Sequence, residues 1–193
     1  MHDSKEPRPH TGRRRNEAAR RAILDAALDL LADADGAPVS VETIARAAGV
    51  GKQTLYRWWP SKGAVLLEAL TDRAAQEVPT PDTGSLREDL RALATATFET
   101  SQRPPSAPAL RTLVREAARD PHLAELMGEF TKTRRAAVRA VLVRGRERGE
   151  LPAGRDVELL VDQFYGFFWY RFLLGHGPLD RDTAVRLADS LIE

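Results

Sequence analysis

Side chains that can read the edges of nucleic-acid bases occur close together in one short segment of this chain. Lys52, Gln53 and Arg57 fall within six residues of one another. Glutamine can pair bidentately with adenine, and lysine or arginine can pair with N7 and O6 of guanine. Residues 43–67 contain four basic residues and no Asp or Glu, whereas the whole chain has 29 Lys plus Arg against 28 Asp plus Glu. A nearly neutral protein with one local basic segment favours binding to a specific duplex.

The small and apolar residues around this segment have the spacing of a helix-turn-helix. Gly49 can adopt the positive φ that ends one helix and begins another at a steep angle. Ala45 lets the two helices touch, while Ile44 and Leu55 supply inward apolar groups. A second helix, from about residue 51 to 59, would then fit the major groove. The pattern predicts DNA binding.

Other side chains near the motif are predicted to hold the phosphate backbone. Hydroxyls and flexible cations fix the register on DNA without reading its sequence. The predicted phosphate contacts are Thr43, Thr54, Tyr56 and Lys62. Two alternatives stay open: Tyr56 could be a half-buried core ring, and the three base readers could touch only phosphate or water.

A basic triplet near the N-terminus gives a second possible contact with DNA. Residues 1–15 are polar, contain proline and end in three arginines, so they are predicted to form a flexible basic arm. Arg14 and Arg15, together with Arg13, could enter the adjacent minor groove. A solvated tail without DNA contact is the alternative.

Helix signals cover the remainder of the chain. Asn16 can cap the first helix, and Asp120 followed by Pro121 is a strong helix start. No region shows sustained strand alternation or an internal repeat, so the chain is predicted to be all-α with about nine helices. Residues 78–84, which contain two prolines, look like a joint, so the expected division is a helix-turn-helix DNA-binding domain at 16–76 and a larger helical domain at 77–193.

Composition argues against several other classes of protein. The chain has no cysteine, so it has neither disulfides nor thiolate metal sites. No apolar run approaches a membrane span, and the first residues lack the apolar core of a secretory signal, which favours a cytoplasmic protein. The four histidines are scattered and no catalytic or nucleotide-binding motif occurs. We therefore expect no enzyme activity, no metal and no cofactor.

An aromatic segment near the C-terminus predicts a helix buried on two sides. Seven of the twelve aromatic residues fall within residues 164–172. A helix that is apolar around most of its circumference must be covered on both sides. One side can pack on the domain core and the other on a second subunit. The alternatives are that all the aromatics are core, or that some line a ligand cavity.

A ligand cavity, if present, is expected among the helices after residue 85. The predicted lining consists of apolar and aromatic side chains with a few polar ones to orient the ligand. A lining of this kind favours a small hydrophobic or aromatic effector. The candidates are Phe98, Leu113, Met127, Phe130, Phe164 and Trp169, with Thr97, Gln163 and Tyr165 as polar groups.

The run TIARAAGVGKQTLYRWWPSKGAVLLEAL at residues 43–70 resembles the DNA-binding region of tetracycline-repressor-type (TetR-type) transcriptional regulators. The resemblance covers about 16–74 and rests on Ile44-Ala45, Ala48-Gly49-Val50, Thr54-Leu55-Tyr56 and Pro60-Ser61-Lys62. Two departures stand out. Trp58-Trp59 replaces a pair that is more usually His or Tyr followed by Phe, and Gly63 occupies a position where an acidic residue is common.

The resemblance implies a three-helix DNA head, a helical ligand domain and a homodimer whose last two helices form a four-helix interface. Ligand binding would shift the two heads away from a palindromic operator, so a ligand-responsive regulator, most naturally a repressor, is expected. The alternative is a helical small-molecule-binding or scaffold protein without specific DNA reading, which leaves residues 40–62 unexplained. The interface residues expected on this basis are Tyr165, Phe168, Trp169, Phe172, Leu187 and Leu191.

Overall fold

A computed structural model of the chain describes residues 11–33, 39–78 and 80–193, with the side chains of residues 11–15 and 33 left out of the description. These ranges contain α helices and no strand, which confirms the all-α prediction. None of the described helices is both long and apolar enough to cross a membrane. The helices are α1 (Thr11–Asp33), α2 (Val41–Ala47), α3 (Lys52–Trp58), α4 (Lys62–Glu77), α5 (Leu86–Gln102), α6 (Ser106–Ala117), α7 (Pro121–Glu147), α8 (Val157–Leu174) and α9 (Arg181–Ser190).

The first three helices form the predicted helix-turn-helix head. Gly49 has φ of +66° in the turn between α2 and α3, and the amide of Val50 donates to the carbonyl of Ala45 at 3.0 Å. Ile44 and Leu55 are both fully buried, so the two helices are held at a fixed angle by a shared apolar core. This rigid turn is what presents the outer side of α3 to solvent.

The first helix begins earlier than predicted. It starts at Thr11, so Asn16 lies inside α1 instead of capping it. Residues 11–15 are therefore helical, and the proposed arm is correspondingly shorter. Arginine is a good helix former, so the basic triplet can extend the helix without an apolar face of its own. The side chains of Arg14 and Arg15 lie outside the described residues, and their minor-groove contact stays a prediction.

Helix α4 packs against both parts of the chain. Its apolar face contacts α1 in the head and α6 and α7 in the body. Ser61 caps it by accepting a hydrogen bond from the amide of Ala64 at 3.2 Å. One continuous helix therefore joins the head to the body.

The body is built around aromatic side chains of α5 and α8. Phe98 on α5 lies 6.4 Å from Phe164 and 5.8 Å from Phe168, measured between ring centroids. Helix α9 packs on α5, where Asp189 accepts hydrogen bonds from Arg91 at 2.8 and 2.6 Å. The pKa of Asp189 is accordingly lowered, chiefly by the hydrogen bond from Arg91.

Surface ion pairs join α7 to α8. Arg139 donates to Glu158 with Nη2 2.6 Å from Oε2, and Arg135 pairs with both Glu158 and Asp162. The hydrogen bond from Arg139 lowers the pKa of Glu158 to about 2. All these groups face solvent, so the pairs orient the helices but add little stability.

A close contact between α5 and α7 gives a first testable prediction. A Cβ on Gly145 would lie 2.7 Å from both Cδ atoms and 2.8 Å from Cγ of Leu86, which is itself buried. Gly145→Ala should gain about 1 kcal/mol of helix propensity but lose about 1–3 kcal/mol to overpacking. We expect a net loss of about 1 kcal/mol in the free energy of unfolding, measured by urea denaturation.

Gly128→Ala is the matched control in the same helix. A Cβ on Gly128 would meet nothing within 4 Å. This variant should be more stable than the parent by about 0.5–1 kcal/mol, because only the helix-propensity gain applies. If both variants were stabilised to the same extent, the packing of Leu86 against α7 would be less tight than described.

Candidate nucleic-acid interface and ligand cavity

Helix α3 separates an anchored side from an exposed side. Leu55 is fully buried, and Trp59, directly after the helix, is 3% exposed. Lys52, Gln53, Tyr56 and Arg57 are all exposed. Positions three and four apart are neighbours on a helix, so the pairs Lys52–Tyr56, Gln53–Tyr56 and Gln53–Arg57 join these four side chains into one polar surface, hereafter the reading face. Thr54 is half-buried at its edge.

A hydrogen-bond network fastens the end of α3 to α1 and α4. Nε1 of Trp59 donates to Oε2 of Glu68 at 2.5 Å, and Nε of Arg20 donates to Oε1 of the same carboxylate at 2.6 Å. Trp58 is half-buried and stacks edge-on against Trp59, with ring centroids 5.5 Å apart. The tryptophan pair therefore packs between α3 and α4. This packing holds the reading face at a fixed angle.

Lys52 has local partners in the protein without DNA. Its ammonium pairs with Glu42 of α2 and lies 5.6 Å from the ring centroid of Tyr56. The hydrogen bond that Lys52 donates to the Glu42 carboxylate raises the pKa of Lys52, which therefore stays charged. Because this pair is exposed, exchanging it for a base or phosphate contact costs little.

The predicted phosphate contact of Thr43 is replaced by a capping role. Its Oγ1 accepts from the amide of Ser40 at 2.9 Å and donates to the Ser40 carbonyl at 2.8 Å, while its own amide donates to the Ser40 hydroxyl. This reciprocal arrangement is a capping box for α2. The hydroxyl proton is used inside the head, so it is not offered to a phosphate.

Lys62, also predicted to hold a phosphate, faces the body. Its Nζ lies 2.6 Å from a carboxylate oxygen of Glu116 on α6, and both side chains are about two-thirds buried or more. In the protein without DNA, this ion pair joins Lys62 to α6 of the body, and its phosphate contact stays a prediction.

The departure at Gly63 has a steric explanation at the same junction. A Cβ on Gly63 would lie 2.5 Å from Cδ2 of Leu123 on α7. Leu123 is 1% exposed, so it has no free space to move into. An acidic side chain could not fit here, and glycine lets α7 approach α4 closely.

Removing the hydroxyl of Tyr56 tests the reading face by itself. Tyr56 is 47% exposed, so its oxygen is available to a phosphate. Tyr56→Phe should weaken binding to specific and random duplexes alike by roughly 2–10-fold, the value of one hydrogen bond. Fluorescence anisotropy with labelled duplexes measures this.

A cavity lies in the body, between α4, α5, α6, α7 and α8. It offers about 70 Å³ to the centres of water-sized molecules, and about 620 Å³ when the space up to the surrounding atoms and the open mouth is included. Its apolar lining includes Leu70, Val78, Leu110, Phe130, Phe168 and Trp169. Its polar lining includes Arg73, Thr97, Ser101, Ser106, Arg134 and Tyr165.

The predicted ligand residues are divided between this wall and other places. Phe130 and Trp169 lie on the wall, as do the polar candidates Thr97 and Tyr165. Half-buried Met127 packs on the core away from the cavity. The remaining candidates do not line this cavity, and their ligand contacts stay predictions: Phe98, Leu113 and Phe164, which are fully buried, and Gln163, which is exposed on α8.

Sequence reasoning missed the two arginines of the cavity. Arg134 belongs to an arginine-rich stretch of α7, yet it lines the cavity together with Arg73 of α4. One signal was available: Phe130 and Arg134 are four residues apart and so share one side of α7. The basic residues that follow, Arg135 and Arg139, do form surface pairs.

Tyr165 contributes a neutral hydroxyl to the wall. Its Oη donates to the carbonyl of Arg134 at 2.9 Å, and burial raises the pKa of the phenol. The ring therefore remains protonated at neutral pH. Its position links α8 to α7 beside the Arg134 side chain.

The expected dimer residues are mostly inside one subunit. Phe168, Phe172, Leu187 and Leu191 are between 2% and 7% exposed in the single chain, and Tyr165 and Trp169 line the cavity. The core of the single subunit already covers these side chains, and their contact with a second subunit stays a prediction. Besides Glu158, Asp162 and Leu174, five exposed residues of α8 follow one another at spacings of four and three: Leu159, Gln163, Gly166, Tyr170 and Leu173, hereafter the outer stripe.

Within the described parts of the chain, no group of three or more His, Asp or Glu side chains is placed to hold a metal ion. Three surfaces remain as candidates for binding: the reading face, the cavity and the outer stripe. They lie on α3, between α4 and α8, and on the outside of α8.

Comparison with known proteins agrees with this arrangement. Residues 23–69 match the model for bacterial regulatory proteins of the tetR family, and residues 80–191 match that for the tetracyclin repressor-like C-terminal domain. A regulator of Bacillus subtilis, YdeS, an uncharacterized HTH-type transcriptional regulator, is 37% identical over 91% of this chain and 88% of its own length. AqdR, an HTH-type transcriptional regulator of Rhodococcus erythropolis, is 34% identical over 79% of this chain and 74% of its own.

Solved structures have the same fold. The crystal structure of a TetR family transcription regulator is 34% identical and superposes with a TM-score of 0.78 over 90% of this chain and 96% of the other. FadR from Bacillus subtilis, solved in complex with stearoyl-CoA, is 20% identical with a TM-score of 0.65, covers 90% and 97% of the two chains, and shows the likeness of fold alone. The chain belongs to the TetR family of helix-turn-helix transcriptional regulators.

Proposed function

We propose that this DNA-binding regulator acts as a homodimeric repressor, binds a palindromic operator and is released by a small molecule held in the body cavity. The observation that carries the proposal is the reading face. Lys52, Gln53, Tyr56 and Arg57 project together from a short helix whose other side is fastened by Leu55 and Trp59. A rigid polar helix of this kind suits the major groove.

The outer stripe supports a twofold dimer. Its members Leu159, Gln163, Gly166, Tyr170 and Leu173 alternate at spacings of four and three residues, the pattern of a helix packed along another helix. Leu159 is 53% exposed and Tyr170 is 59% exposed, which is unusual for large apolar groups on one face. A twofold dimer would carry two reading faces, which suits half-sites about 34–36 Å apart or slightly more.

Helix α4 provides a route from the cavity to the head. Leu70 and Arg73 line the cavity from the C-terminal half of α4, while Lys62 and Gly63 at its other end contact Glu116 and Leu123. A ligand that displaced the C-terminal half of α4 would tilt the head. The separation of the two reading faces would then no longer match the operator.

Binding to the DNA that flanks the protein's own gene tests this proposal. Purified protein should bind that DNA in preference to a random duplex at near-physiological salt, with two chains per site and a marked salt dependence. Selection of bound fragments from the whole genome covers an operator located elsewhere. Failure of both experiments to yield a preferred sequence would overturn the operator proposal and favour a scaffold or a purely ligand-binding protein.

A further inference from the structure

We propose that the small molecule recognised by the cavity is an organic acid, whose carboxylate binds the guanidinium of Arg134 and whose compact apolar or aromatic body fills the remaining space. This inference rests on the proposed function, because it names the chemical class of the effector for the same cavity. It goes beyond a merely hydrophobic effector by requiring a negative charge.

Unpaired polar atoms converge on the cavity. Nη2 of Arg134, Oγ1 of Thr97 and Oγ of Ser106 are buried and have no hydrogen-bond partner among the described residues. All three side chains line the cavity. Thr97 is 8% exposed and Ser106 is 2% exposed, so solvent at the surface does not satisfy them. Buried donors left without acceptors are costly, and they indicate a missing partner that accepts hydrogen bonds.

The charge of Arg134 is not balanced by the protein around it. No carboxylate of the described residues forms an ion pair with Arg134, whereas its neighbour Arg135 pairs with Glu158 and Asp162. Arg134 is half-buried, but its Nη2 atom is buried without a partner, and a counter-charge in the cavity would supply the acceptor that this atom lacks. Arginine also matches the planar, two-oxygen geometry of a carboxylate better than lysine does.

Arg73 adds a second positive charge to the cavity wall, and the carboxylate of Glu77 neutralises it only in part. Its Nε lies 2.9 Å from a carboxylate oxygen of Glu77, but the geometry does not make a hydrogen bond and this nitrogen is buried without a partner. Ser106 is the first residue of α6, so the positive end of that helix dipole lies at the same wall. These features all favour an anion over a neutral ligand.

The apolar lining limits the remainder of the molecule. Leu110, Phe130, Phe168 and Trp169 surround the polar atoms. The enclosed space of about 70 Å³ for water-sized centres is small, which favours a compact body such as one ring or a short chain. A long or multiply charged ligand would have to extend through the mouth.

The experiment compares acids with their neutral amides. Phenylacetate, indole-3-acetate, cinnamate and octanoate are tested beside their primary amides, by thermal unfolding and by calorimetric titration of the purified dimer. We expect at least one acid to raise Tm by a few degrees and its amide to leave Tm unchanged. If no acid raises Tm more than its amide does, the proposal is overturned.

Arg134→Gln and Arg135→Gln form a matched pair of variants. Arg134→Gln should weaken the Kd for the acid by roughly tenfold or more, the effect expected for a charge-assisted hydrogen bond, and Arg135→Gln should leave it within about twofold. An acid that binds equally well to Arg134→Gln overturns the proposal. If Arg134→Gln is poorly folded, Thr97→Val and Ser106→Ala provide the same comparison with smaller losses.

Measurements of DNA affinity keep this inference separate from the proposed function. Arg135→Gln should bind operator DNA like the parent when no acid is present, because Arg135 belongs neither to the reading face nor to the cavity wall, and the effect of acid on Arg134→Gln is compared with the DNA affinity of that same variant without acid. Acid binding without release of DNA would support the carboxylate site and overturn its role as an effector site. Release of DNA by an amide as efficiently as by its acid would overturn the charge requirement while leaving the regulator intact.

Discussion

Glutamate at both Tyr170 and Leu173 is expected to convert the dimer into monomers and to lower operator affinity by roughly 100-fold or more. Both side chains belong to the outer stripe, at 59% and 46% exposure in the single chain. In a twofold dimer, each would be buried against the partner helix, so four carboxylates would be forced together without counter-charges. A monomer also loses the gain in affinity that comes from joining two heads.

Sedimentation velocity measures the mass, and anisotropy measures the affinity for a full palindrome and for a single half-site. The double variant should keep the half-site affinity of the parent. Its thermal stability as a monomer should not collapse, since neither side chain belongs to the subunit core. Ala136→Glu, at an exposed position of α7, is the control and should remain dimeric. An unchanged dimer mass for the double variant would place the interface elsewhere on the chain.

Loss of either Gln53 or Arg57 is expected to change which DNA sequence is preferred. Both side chains are exposed on the reading face. A bidentate contact to a base discriminates by about 1–3 kcal/mol against the wrong base, so Gln53→Ala or Arg57→Ala should lower operator affinity about 5–150-fold for each subunit contact. Affinity for random duplex should change much less for Gln53→Ala.

Arg46→Ala separates charge from reading in this experiment. Arg46 is an exposed basic residue on α2, so its loss should weaken specific and random binding to a similar, modest extent and reduce the salt dependence by about one counterion. Arg57→Ala should lower operator affinity more than Arg46→Ala does, whereas the two variants should lower affinity for random duplex to the same extent. If Arg57→Ala and Arg46→Ala behaved alike, Arg57 would be a phosphate contact and the base reading would fall to other residues.

The head was largely predictable because its determinants are local in sequence. Gly49 must turn the chain, and Leu55 must point inward wherever the body lies. The roles of Thr43 and Lys62 were not predictable in the same way. Thr43 has two possible uses for one hydroxyl, and the partner of Lys62 is Glu116, more than fifty residues later. Gly63 is explained only by Leu123 on α7.

The helices of the body were predictable from the sequence, but the surroundings of their individual side chains were not. An aromatic helix such as α8 is apolar on nearly every side, so periodicity cannot say which face meets the core, the cavity or a partner. Phe168 and Phe172 were therefore assigned to an interface although the subunit core covers them. Arg134 was missed for the opposite reason, since it stands in a run of arginines whose other members do face solvent.

The positions of the tryptophans allow intrinsic fluorescence to follow the head and the cavity separately. The chain has three tryptophans: Trp58 and Trp59 are at the end of the helix that meets DNA, and Trp169 is on the wall of the cavity. Replacing Trp58 and Trp59 with phenylalanine would leave emission from the cavity alone, and replacing Trp169 would leave emission from the head alone. The delay between the two signals after rapid mixing with a ligand would measure how fast a change in the cavity reaches the DNA-binding end.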